Sequence, residues 1–106
     1  MRHRVSVAIS VFAIALAAAS PAAAAVVKIE IKGIAFPPAK ATAKVGDTVE
    51  WINKDFVVHS ATARDKSWDV NIPANKSGRA VMKKAGKIVY YCRYHPNMTG
   101  EIDVTK

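Results

Sequence analysis

The 106-residue chain has one cysteine, Cys92, so an internal disulfide is excluded. Histidine is almost as scarce, with His3, His59 and His95 making up the whole supply. Sustained helical periodicity is missing, which argues against a bundle. No internal repeat or low-complexity tract follows residue 25. The basic residues form no cluster interleaved with aromatics, and no known binding motif accompanies them, so nucleic-acid binding is not expected. Long hydrophobic runs are limited to one. Val5 to Ala19 is apolar apart from Ser6 and Ser10, and it falls short of the ~20 residues a spanning helix needs unless extended through Pro21 to Val27.

That run reads as a targeting segment. Met1-Arg2-His3-Arg4 is a basic start, and Ala23-Ala24-Ala25 fits the small-x-small cleavage pattern. Residues 1–25 are expected to be a cleavable signal peptide, with the cut before Val26. Residues 26–106 are then a single exported domain, located in the periplasm and without stable membrane insertion. Export also removes His3. Without Arg2 and Arg4, 14 basic residues face 8 acidic ones, a net +6, which favours encounter with acidic partners.

What is present from Val26 onward is a series of short β-type segments punctuated by turn residues. Val27, Ile29 and Ile31 alternate onto one face of a first strand over 26–32. Further strands are expected over 41–45, 48–53 and 57–63. A short strand or irregular edge over 67–72 follows, then strands over 78–83, 87–92 and 100–105. Gly46-Asp47 and Ala85-Gly86 are turn signals. Seven or eight strands at this spacing imply an all-β, two-sheet sandwich with Greek-key links. Trp51 and Tyr90 are expected in its core, Met82 in core packing or at the surface, and Trp68 over an edge.

Chemistry concentrates in Tyr90 to Gly100. Cys92 is followed by His95 at +3 and Met98 at +6, and His59 supplies a second imidazole from upstream. A free Cys, a lone His or a Met is each commonly core filler. The joint spacing C-x2-H-x2-M on a loop leaving a strand is a stronger signal. Two His and one Cys in a plane with a weak axial Met form the blue-copper electron-transfer site. The expected metal ligands are therefore His59, Cys92, His95 and Met98, holding one copper ion per chain that cycles between Cu(I) and Cu(II). A structural zinc site wants four Cys or His, and residues 26–106 offer three. A Cys–His nucleophilic pair would leave Met98 idle and lacks an orienting third residue. An enzyme is not expected.

These residues resemble the cupredoxins, and within them the amicyanin branch. Lys44 to Asp55 (KVGDTVEWINKD) is similar to that family's strand leading to its first copper histidine, and the short C-x2-H-x2-M loop has the amicyanin length. Plastocyanin and pseudoazurin have longer His-to-Met spacings. Ala85-Gly86, Tyr90-x-Cys92 and Gly100 to Val104 extend the likeness, which covers most of the chain from Ala41 except Ala63 to Ser77. It implies a cupredoxin-like sandwich and the same four ligands by position.

The chain departs from the branch in three places. Ser60 stands where the family has an Asn that hydrogen-bonds across to the ligand loop, so that tie is expected to be weaker or differently made. Tyr94 replaces a Pro and restores a backbone N–H that could reach the Cys92 sulfur. Arg93 adds a positive charge. Both loop changes are expected to favour Cu(I) and raise the reduction potential. The mature N-terminus is also shorter than amicyanin's, so that family's methylamine dehydrogenase partnership does not carry over.

The sequence reading is thus a soluble, monomeric, periplasmic one-electron carrier. Its partners would be transient redox proteins with acidic docking surfaces, such as a c-type cytochrome or a dehydrogenase. Two other readings compete: a carrier that delivers Cu(I) itself, and a metal-free interaction domain.

Overall fold

The computed structural model describes residues 23–106. The expected signal segment falls outside them, apart from its last three residues. Eight strands follow: β1 (Val26–Ile31), β2 (Lys40–Lys44), β3 (Thr48–Asn53), β4 (His59–Ala63), β5 (Asp69–Ile72), β6 (Ser77–Val81), β7 (Gly86–Tyr91) and β8 (Thr99–Thr105). They form a three-stranded sheet, β1-β3-β6, and a five-stranded sheet, β2-β8-β7-β4-β5. The all-β sandwich expected from the sequence is what the chain forms. Among the described residues no helix is long and apolar enough to cross a membrane.

Alternation in the sequence sets which faces meet. Ile29 and Ile31 of β1, Ile88 and Tyr90 of β7, and Ile102 and Val104 of β8 point into the core. The exposed positions between them carry Lys28, Glu30, Val89 and Asp103. Crossings between the sheets make β1 parallel to β3 and β2 parallel to β8. Asp47 fixes the turn between β2 and β3, because its carboxylate accepts the Lys44 and Ala25 backbone N–H groups, each at 2.9 Å.

The centre of the core is aromatic. Trp51 lies 5.6 Å from Tyr90 and 5.0 Å from Trp68, ring centre to ring centre, and Phe36 stands edge-on to Tyr90 at 4.7 Å. Trp51 and Tyr90 are buried as expected, and Met82 takes the core position of its two alternatives. Trp68 differs: it packs against Trp51 and Tyr90 inside the sandwich instead of covering an edge. The cause is Gly78 in β6. A Cβ there would collide with Val70 and Ile72, so a glycine lets β5 lean onto the facing sheet and carry Trp68 inward.

The start of the fourth strand shifts as well. The fourth strand starts at His59, not Val57, because Asn53 Nδ2 donates to Val57 O at 2.9 Å and holds the preceding residues in a bend. This leaves Phe56 projecting into solvent. The pairing of β4 with β7 is short, joining only Thr62 to Tyr91 and Ala63 to Tyr90. Past those pairs the two strands part. His59 and Cys92 sit on either side of the opening.

Candidate metal centre

His59 opens β4 with its ring fully buried. Nδ1 lies 3.7 Å from Cys92 Sγ, and Nε2 lies 2.8 Å from Asp55 Oδ2. Cys92 follows the last residue of β7, where strand alternation turns its side chain inward after Ile88 and Tyr90. Its sulfur lies 3.7 Å from His95 Nδ1. The three donor atoms, two imidazole nitrogens and one sulfur, all fall within 4.8 Å of one another.

The loop spacing explains how this happens. His95 N–H donates to Cys92 O at 3.3 Å, and Met98 N–H donates to His95 O at 2.8 Å. Each x2 interval is thus one hydrogen-bonded turn. Cys92 N–H then donates to Met98 O at 3.0 Å, closing the base of the loop. Met98 is buried, and with His95, Tyr94, Pro96, Asn97 and Ile34 it lines a surface groove of about 450 Å³. His59 is sealed inside, while His95 is only partly buried and meets this groove.

The donor set fits a first-row metal ion. Bonds of ~2.0 Å to nitrogen and ~2.3 Å to sulfur, splayed in a plane, separate the two donors by ~3.7–3.8 Å. Both sulfur-to-nitrogen distances match that value.

Asp55 was not singled out from the sequence. It accepts from Gly33 and Ile34 backbone N–H at 2.9 and 3.0 Å and also faces His59 Nε2. Desolvation pushes its pKa up, but the Ile34, His59 and Gly33 hydrogen bonds outweigh this and hold the carboxyl below the usual carboxylate value. A carboxylate on the far nitrogen of a metal-ligating His fixes the ring and its tautomer. The available signal was an acid four residues before a candidate ligand.

Of the three departures, Ser60 follows the expectation of a differently made tie, and the two loop residues do not behave as expected. Ser60 does tie the halves together, by another route: its Oγ accepts Arg93 N–H at 2.8 Å, and its own N–H donates to Cys92 Sγ at 3.4 Å. The backbone donor on the sulfur is therefore Ser60, not Tyr94. The Tyr94 hydroxyl instead donates to Asn71 Oδ1 at 2.8 Å. Arg93 is paired with Asp69, 3.1 Å from Nε to Oδ1. Hydrogen bonding to that carboxylate raises the pKa of the guanidinium, and the pairing offsets its charge beside the site. Both arguments for a raised potential thus lose their basis.

A family model described as a cupredoxin-like domain matches residues 5–104. The chain belongs to the cupredoxin-like family. Among solved structures, the Cu(I) form of an amicyanin variant shares 26% identity, with 82% of this chain and 88% of that one covered at a TM-score of 0.65. A purple cupredoxin from Nitrosopumilus maritimus shares 24% identity over 74% of this chain and 99% of that one, at a TM-score of 0.68. A copper-containing nitrite reductase from Thermus scotoductus SA-01 is 28% identical over 76% of this chain, at a TM-score of 0.68. The match spans only 22% of the reductase, so it concerns one part of a larger protein. A search of curated protein sequences returns no match.

Proposed function

We propose that this cupredoxin is a blue-copper protein that carries single electrons between partners in the periplasm. The observation that carries the reading is the convergence of His59 Nδ1, Cys92 Sγ and His95 Nδ1 in a family fold whose solved members include a Cu(I) amicyanin. His59, Cys92, His95 and Met98 are the residues that would hold copper. Bound copper supplies a one-electron couple, and the soft sulfur donors suit its reduced state.

The protein's own residues provide the rest. Asp55 orients the His59 ring, and the Ser60 N–H supports the Cys92 sulfur. Burial of His59 and Cys92 keeps water from that side. The partly exposed His95 edge is the electron exit, and Ile34 and Tyr94, which line the groove with it and are exposed, offer surface for docking. Such an exit needs only a small, transient interface, which suits a monomer. The excess of basic over acidic residues steers acidic partners such as a c-type cytochrome or a dehydrogenase.

Adding Cu(II) to the purified protein and recording visible absorption and EPR spectra tests the reading. An intense thiolate-to-copper band, narrow hyperfine splitting and reversible bleaching by a reductant are expected. Colourless Cu(I) binding with ready transfer to a chelator would indicate a copper-delivery protein instead. Absence of binding would leave an interaction domain.

A further inference from the structure

The two residues that set this ligand loop apart from its relatives, Arg93 and Tyr94, are both held by one edge strand. Asp69 Oδ1 accepts from Arg93 Nε at 3.1 Å, and Asn71 Oδ1 accepts from the Tyr94 hydroxyl at 2.8 Å. Asp69 and Asn71 are two apart in β5 and so face the same way, opposite to Val70 and Ile72, which turn inward. Both lie within 63–77, the stretch where the sequence ceases to resemble the family. The departures in the strand and in the loop therefore answer each other.

Strand register carries the contact inward. Thr62 of β4 stands opposite Asp69, and Ser60 stands opposite Asn71. The Thr62 hydroxyl donates to Asp69 Oδ1 at 2.8 Å and lies 2.9 Å from Ser60 Oγ. Ser60 Oγ in turn accepts the Arg93 N–H. The circuit runs from the Arg93 amide through two buried hydroxyls to Asp69 and back to the Arg93 guanidinium. Every donor in it has an acceptor, and linked bonds of this kind polarise and strengthen one another. At Ser60 the circuit also touches the Cys92 sulfur.

We propose that β5 is a clamp on the ligand loop, with Asp69 and Asn71 as positioning residues that hold Arg93 and Tyr94 and so fix Cys92 and His95 before any metal binds. The clamp supplies the rigidity that a proline at position 94 would give through its fixed φ. It rests on reading this loop as the one that carries the metal ligands.

Amide hydrogen exchange on the metal-free full chain, compared with Asp69→Ala/Asn71→Ala, tests the clamp. Exchange at Arg93 and His95 should quicken by about tenfold, the factor for one ordinary hydrogen bond lost, while Ile88 and Ile102 stay protected. Asp69→Asn, which keeps an acceptor, should restore most of the protection at Arg93. Unchanged exchange at 93 and 95 would overturn the proposal, and so would equal acceleration through β7 and β8. If the double variant does not fold, Asn71→Ala alone decides, by whether exchange at His95 quickens. The measurement uses no copper, so failure of the chain to bind copper would sink the functional reading and leave this test standing.

Discussion

A methyl group at position 100 would occupy the space of the Tyr90 ring. Gly100 pairs with Tyr90 across β7 and β8, and Tyr90 is fully buried two residues before Cys92. The ring has nowhere to retreat, since Phe36, Trp51 and Trp68 surround it. Gly100→Ala should therefore cost about 2–3 kcal/mol by overpacking, read as a lower urea midpoint with an unchanged slope. An unchanged midpoint would show that the pair gives way freely. At this scale the sequence was legible where one residue type carries the chemistry. Cys92, His95, Met98 and His59 are scarce types at informative spacing; the structure brings the His59, Cys92 and His95 donor atoms together and buries Met98 in the groove beside His95. Asp55, Asp69 and Asn71 were not legible. They are ordinary polar residues on loops and an edge, and their partners are set by tertiary pairing. Tyr94 misled for the same reason: its restored N–H was visible in the sequence, but the atom facing the sulfur belongs to Ser60 on another strand.

Turns and edges govern the elements. Asp47 holds the β2–β3 turn through the Lys44 backbone N–H and, in the uncleaved chain, that of Ala25, and these bonds lower its pKa from an ordinary 3.8. A carboxylate with a depressed native pKa stabilises the fold fully above its unfolded value, and that contribution is lost as pH falls through the native value. The wild-type protein should lose stability below about pH 5. Asp47→Asn should be less stable at neutral pH and show a shallower acid limb, measured by thermal melts from pH 7 to pH 2. Parallel curves for the two proteins would rule out this role. Strand positions were readable because alternation in β1, β7 and β8 matches the face they bury. The inward lean of β5 was not, because it depends on Gly78 meeting Val70 and Ile72 from another sheet. That single contact moves Trp68 from an expected edge cover to a wall of the core.

For the molecule as a whole, the small core and the convergent donors make metal and fold interdependent. An ion that binds only the folded state stabilises it by about 4 kcal/mol at a free concentration 1,000 times Kd. For a domain of this size that corresponds to roughly 15–30 °C in Tm. Calorimetry with and without copper should show a rise of this order, and Cys92→Ser should lose most of it. An equal rise in the variant would place the metal elsewhere. The sheet order has a further consequence for when the fold can exist at all. β8, the last strand in the chain, lies between β2 and β7 in the five-stranded sheet, so the final residues are the keystone of the larger layer. A growing or shortened chain that stops at Met98 has every ligand but no β8, and its β2 has no neighbour. The larger layer can therefore take in β2 only once β8 is available to stand between it and β7.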